Sequence, residues 1–181
     1  MDKLEDLLKQ AQGGSPAPVE RWDPPYCGDI GLRILRDGQW HYQGSAIPRL
    51  ALVKLFARVL RRDEDGRYFL VTPAEKVDVA VADAPFIAVE MEASGRGRSQ
   101  SLLFRTNVDD VIKCGAEYPL RFVAGAPDHG LKPYVHVRGR LEALMARALV
   151  YDLVELAEAG PDGTGLGIWS DGAFFPLPEA G

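Results

Sequence analysis

His41-Tyr42-Gln43-Gly44 opens a run patterned as a helix, and Asp65-Gly66-Arg67-Tyr68-Phe69-Leu70-Val71 closes it. The chain then offers the pattern again. His136-Val137-Arg138-Gly139 precedes a second helical run, and Asp171-Gly172-Ala173-Phe174-Phe175-Pro176-Leu177 follows it. A chain that repeats one strand–helix–strand unit builds two like modules, and the cleft between such modules is a natural binding site. The echo speaks to architecture and not to chemistry.

Upstream of the first helical run, Ile30, Leu32 and Ile34 alternate with Gly31, Arg33 and Leu35, as in a strand. Asp37-Gly38 then turns the chain into Trp40 and Tyr42, a hairpin signal because Asp-Gly tolerates positive φ. Ser45 is one candidate N-cap for the helix; the other start is later, with Pro48 in the first turn. Ile47, Leu50, Val53, Leu55, Phe56, Val59 and Leu60 supply its apolar face, and Arg58, Arg61 and Arg62 crowd its end. Downstream, strands are predicted at Arg67–Thr72, Val77–Val81, Pro85–Glu92, Leu102–Arg105, Pro119–Ala124 and Pro133–Arg138. Leu141 to Glu158 reads as the second long helix, and Ser170-Asp171-Gly172 turns a final hairpin. At the other end, Leu4, Leu7, Leu8 and Ala11 lie on one face of a short helix, broken by Gly13-Gly14-Ser15-Pro16-Ala17-Pro18.

The expected fold is therefore α+β, with antiparallel strands and one long helix in each of two units. The expected division is an N-terminal arm over 1–21, one domain over 22–76 and a second over 77–181. With 181 residues, 46% hydrophobic and 26% charged, the chain has an ordinary globular composition. A net charge of -5 argues against a nucleic-acid partner, which selects for a basic face. No apolar run is long enough to span a membrane, and Met1-Asp2-Lys3-Leu4-Glu5-Asp6 is not of signal-peptide type. A cytoplasmic location is expected, with Cys27 and Cys114 reduced. Both thiols read first as small packed residues; the sharper reading is a redox-responsive Cys114 beside Lys113.

Several stretches together resemble a known family. They are Asp37 to Gly44, Ile47-Pro48-Arg49, Val53-Lys54-Leu55-Phe56, Gly66 to Lys76, Thr106-Asn107-Val108-Asp109-Asp110 and Tyr118-Pro119-Leu120-Arg121. In this order they resemble the bacterial domain of unknown function numbered twelve eighty-five, over nearly the whole chain from Gly28 onward. The resemblance implies a duplicated α+β unit. It implies a C-terminal half like a pleckstrin-homology fold, a strongly bent antiparallel sheet followed by a helix. It carries no established activity. It implies a suggested signalling role and a suggested site between the halves for a nucleotide-like molecule.

The residues themselves offer candidates. Thr72, Glu75 and Lys76 sit where the first half hands over to the second, either as an exposed turn or as polar lining of the cleft. Asn107-Val108-Asp109-Asp110 reads as an N-capping turn. Its sharper reading makes Asp109 and Asp110 acceptors for a ligand, or oxygen ligands to Mg²⁺, though spacing places no third ligand. Arg105, Arg121 and Arg138 fall out of phase with the apolar residues beside them. They form either a solvated sheet face or a basic stripe suited to phosphate or carboxylate. Trp40 could join Tyr42, Tyr26 and Trp22 in an aromatic platform, with core packing as the plain alternative. His41 and His136 hold matching places in the echo, which favours packing, and Asp128 could orient His129 but brings no nucleophile.

The sequence is thus read as a non-catalytic module that binds a small anionic or nucleotide-like ligand. The candidate residues are Trp40, Arg49, Thr72, Glu75, Lys76, Asn107, Asp109 and Arg121, with no cofactor and no metal assigned. The alternatives are a metal-assisted phosphohydrolase or transferase using Asp109 and Asp110, and an adaptor that recruits a protein or a second copy.

Overall fold

The computed structural model describes residues 3–11, 17–125 and 130–179. Asp128, His129 and the Gly13 to Pro16 break lie outside the described residues. The chain divides into two compact units, Met1–Pro85 with Gly139–Leu141, and Phe86–Arg138 with Glu142–Gly181. The expected boundary after Lys76 is corrected to Pro85. The strand that begins at Lys76 pairs backward, with Tyr68–Val71, and so belongs to the first unit.

The first unit opens with α1 (Lys3–Ala11), followed by a short 3-10 turn at Val19–Arg21. Its sheet is built from β1 (Leu32–Ile34), β2 (Trp40–Tyr42), β3 (Ser45–Ala46), β4 (Leu60–Arg62), β5 (Tyr68–Val71) and β6 (Lys76–Val81). The helix α2 (Leu50–Arg58) lies between β3 and β4 in sequence. Strand order is β3-β2-β1-β6-β5-β4, two antiparallel meanders joined by a parallel β1–β6 pair. The register puts Leu32, Ile34, Trp40, Leu60, Leu70, Val77 and Val79 on one face, all buried. Val53, Phe56 and Ala57 of α2 are buried as well, and Trp40 stacks on Phe56 with ring centroids 6.1 Å apart. Burying such a ring contributes about 1.5–3 kcal/mol. α1 packs against α2.

The second unit repeats the sheet. Its strands are β7 (Phe86–Ser94), β8 (Ser101–Thr106), β9 (Val111–Lys113), β10 (Leu120–Ala124), β11 (Leu131–Arg138) and β12 (Leu141–Met145). Their order is β10-β11-β12-β7-β8-β9. Read from the other edge and counted from its own first strand, that is 3-2-1-6-5-4, the order of the first sheet. The single parallel pair recurs too, as β12 on β7. Both sheets are therefore mixed, where purely antiparallel ones were expected. After β12 come α3 (Arg147–Glu155), β13 (Glu158–Ala159), β14 (Leu166–Ser170) and β15 (Ala173–Pro176). The last three form a small antiparallel sheet. Its turn residues Asp171 and Gly172 take φ of 50° and 78°, the geometry an Asp-Gly hairpin selects.

Two helix expectations are corrected. Leu141–Met145 is a strand: Leu141, Ala143 and Met145 are buried and fill the place beside β7, so period two wins over period 3.6. The first of the two long helices expected is the shorter α2, Leu50–Arg58, with Ser45–Ala46 and Leu60–Arg62 as strands on either side. Arg61 consequently does not ride a helix end; it is buried and reaches the carbonyls of Val19 and Trp22 at 2.9 and 2.7 Å. The echoed residues are also not topological equivalents. His41 lies on the second strand of its sheet and His136 on the fifth. Leu50 begins a helix after a third strand, and Leu149 belongs to a helix after a sixth. The repeat is carried by strand order. Among the described residues no helix is long and apolar enough to cross a membrane.

Candidate functional site

Thr72 follows the last residue of β5, and Pro73 forces the turn that brings the chain back as β6. The Thr72 hydroxyl accepts the backbone N–H groups of Ala74 and Glu75 at 3.3 and 3.1 Å, closing the turn on itself. Glu75 shares the parity of Val77 and Val79, so its side chain turns toward the buried face rather than to solvent. A buried carboxylate needs a partner. It finds one in α1: Lys3 forms an ion pair with it, and the Gln10 amide donates to it at 3.5 Å. The same amide accepts a hydrogen bond from the Thr72 hydroxyl. The hydrogen bond to Glu75 holds the Lys3 ammonium above its ordinary value, against a smaller lowering by burial. Lys3, Leu7 and Gln10 stand at i, i+4 and i+7, one face of the helix, with Leu7 buried between the two polar residues and Ala11 buried just beyond Gln10. Chemically, this turn holds an ammonium and an amide side by side.

Lys76, one position on, points to the opposite face. It pairs with Asp63 at 3.2 Å and lies 4.4 Å from the centroid of the Phe69 ring. Asp63 also receives Arg61 at 2.6 Å. Burial alone would raise the Asp63 carboxyl, but the hydrogen bonds from Arg61 and Lys76 outweigh it and leave the group below its ordinary value. Thr72, Glu75 and Lys76 are thus neighbours in sequence serving two separate clusters.

Trp40 and Arg49 do not join them. Trp40 is core, stacked on Phe56, which corrects its assignment to a ligand-lining platform. Tyr26 meets Phe69 edge-on instead, on the other face of the sheet. Arg49 is exposed at the start of α2, where its carbonyl accepts the N–H groups of Leu52 and Val53.

The other candidates belong to the second unit. No helix follows Asn107, so the N-cap reading is corrected: Thr106 to Asp110 form the β8–β9 turn, with Asp109 at a φ of 67°. Asn107 acts as a strand extension, its side-chain oxygen accepting the Ile87 N–H at 3.0 Å while its own N–H donates to the Ile87 carbonyl. Asp109 and Asp110 part company. Asp109 pairs with Arg105 at 2.6 Å, and Arg105 also holds Glu90; Asp110 pairs with Arg138 at 2.9 Å. Arg121 grips both oxygens of Glu142 at 3.0 Å and lies over the Tyr134 ring. All three arginines of the expected stripe are therefore matched by carboxylates. Among the described residues no group of three or more His, Cys, Asp or Glu side chains is gathered as a metal site would be.

Sequence reasoning missed Lys3, Gln10, Asp63, Glu90 and Glu142. Only the first two left a signal, a basic residue and an amide two helical turns apart on the apolar face of α1.

Comparison with known proteins now adds to the geometry. Residues 17–84 match the profile described as "Domain of unknown function (DUF1285), N-terminal domain", and residues 85–177 match "Protein of unknown function (DUF1285), C-terminal domain". The chain belongs to the DUF1285 family. The junction of the two profiles falls at the unit boundary seen in the fold. A crystal structure of a DUF1285 family protein from Silicibacter pomeroyi DSS-3 is similar, with 47% identity and a TM-score of 0.90. That match covers 98% of this chain and 95% of the other. A second, from Shewanella baltica OS155, shows 29% identity and a TM-score of 0.53, covering 68% and 90%. No curated protein matches the chain.

Proposed function

We propose that this protein is a non-catalytic binding module of the cytoplasm, with the Thr72–Glu75 turn of its first unit as a recognition element. The observation that supports this reading is the docking of α1. A nine-residue helix is received by a buried hydroxyl and a buried carboxylate from positions more than sixty residues away. The surface matches an amphipathic helix that presents one ammonium and one amide beside its apolar face. The free thiols of Cys27 and Cys114 fit a reducing compartment.

A small anionic or nucleotide-like ligand is the reading the arginines would serve. Such a ligand would have to displace Glu90, Asp109, Asp110 or Glu142 from Arg105, Arg138 or Arg121. The same competition weighs on a phosphohydrolase built on Asp109 and Asp110. A pleckstrin-homology-like character of the second unit, and with it a signalling role, is supported by six strands followed by α3; the parallel β7–β12 pair departs from an all-antiparallel sheet.

A labelled peptide spanning residues 1–12 tests the recognition reading by fluorescence anisotropy. Full-length Lys3→Glu, whose own arm is repelled by Glu75, should bind the peptide saturably. Lys3→Glu combined with Glu75→Gln should lose most of that binding. Absence of saturable binding to the first variant sinks the reading.

A further inference from the structure

We propose that α1 is an exchangeable arm, and that two copies of this chain pair by each laying its Lys3–Ala11 helix on the Thr72–Glu75 turn of the other. The proposal rests on the reading of that turn as a recognition element and names its partner as a second copy.

The argument begins with what α1 does not do. It contributes no strand, and the six-stranded sheet with α2 completes its hydrogen bonding without it. It also covers what cannot be left bare. Thr72 is 0% exposed and Glu75 7%, and on the helix side Leu7 and Ala11 are 1% and 5% exposed. An arm that lifts away breaks the Lys3–Glu75 pair and opens an apolar seam to water. Only a helix of matching charge and shape makes that good. The arm of a second copy reproduces every contact, because the contacts are the same whichever chain supplies them.

The balance between closed monomer and exchanged pair then depends on the tether and not on the seam. A short tether presents its own arm at an effective concentration of about 1 mM. The closed form prevails well below that, and exchange gains as the chain concentration approaches it or as the closed form is handicapped. Charge gives the handicap. The ion pair joins residues 72 positions apart, so reversing either partner puts like charges at the closed seam. Reversing one partner in each of two copies restores opposite charges at both seams of an exchanged pair.

The test mixes full-length Lys3→Glu with full-length Glu75→Lys at equal concentration, followed by size-exclusion chromatography with light scattering and by thermal melting. The expected result is a species of twice the monomer mass that contains both variants. It should melt near the wild type and above either variant alone, and its share should rise with concentration. The one-chain double variant Lys3→Glu/Glu75→Lys should remain monomeric at the same concentration with wild-type melting. If either single variant fails to fold by itself, the two are refolded together with different tags, and equimolar co-purification replaces the mass readout. A mixture that stays as two monomers, each at its own melting point, or tags that never co-purify, overturns the exchange. Peptide binding by Lys3→Glu alongside a monomeric mixture would overturn the exchange alone; loss of both overturns the recognition reading as well.

Discussion

Lys3 of α1 and Glu75 of the β5–β6 turn form an ion pair whose carboxylate side chain is 10% exposed and whose ammonium side chain is 38% exposed. The asymmetry means that the acid depends on the base more than the base on the acid. Lys3→Ala leaves Glu75 buried and, among the described side chains, dependent on the long amide contact of Gln10. The expected loss is about 1–2 kcal/mol in urea unfolding, between the limits for surface and buried pairs. The pH dependence has a definite sign. Because Lys3 is raised in the folded state, its contribution is complete below its ordinary value of 10.5 and fades as pH climbs through the raised value. The stability gap between wild type and Lys3→Ala should therefore be constant through neutral pH and close at the alkaline end.

Asp63 gives the opposite slope. Arg61 and Lys76 lower its carboxyl, so its contribution is complete above the ordinary value of 3.8 and is lost as pH falls through the lowered one. Asp63→Asn weakens the hold on a buried guanidinium and should cost about 1–3 kcal/mol at neutral pH. Urea unfolding at a series of acid pH values should show that cost shrinking toward pH 2. A pH-independent cost would mean that the pairing is not the cause.

The two thiols should separate cleanly. Burial pushes Cys114 up to about 12, while Cys27 is exposed. A thiol reagent at pH 8 should label one cysteine per native chain, mapped to Cys27 by mass spectrometry, and the second only in denaturant. Rapid native labelling of Cys114 would instead revive its reading as a redox-responsive thiol.

Asn107 should behave as a piece of backbone. Asn107→Ala removes the acceptor of the Ile87 N–H and should destabilise the chain by about 1–3 kcal/mol. Asn107→Asp keeps an acceptor oxygen and should recover most of the loss. Hydrogen exchange at the Ile87 amide reads this directly: fast in Asn107→Ala, slow in Asn107→Asp.

The strands with clean alternation and the Asp-Gly turns were legible. Leu32–Ile34, Trp40–Tyr42 and Leu166–Pro176 fall where period two and turn chemistry put them. The stretch from Leu141 was not, because Leu141, Ala143, Leu144 and Met145 satisfy a strand and a helix equally. The open place beside β7 chose the strand. Of the candidate site, Thr72 and Glu75 were legible as polar residues at a hand-over between strands. Their partners were not, since Lys3 lies beyond any local pattern linking it to Glu75. The arginine stripe was read from strand phase, and phase alone does not reveal that Glu90, Glu142, Asp109 and Asp110 stand within ion-pair distance.

Local chemistry is written along the chain, and it was enough to point to an α+β protein, with an amphipathic helix at its start and turns at Asp37-Gly38 and Asp171-Gly172. Turn propensity and side-chain periodicity act over a few residues, so nearby residues suffice to express them. Pairing is another matter. The parallel β1–β6 and β12–β7 joints, the burial of Trp40 against Phe56 and the meeting of Lys3 with Glu75 each join segments with no local relation. Long-range burial and charge compensation selected them, and those forces exist only once the chain has folded back on itself.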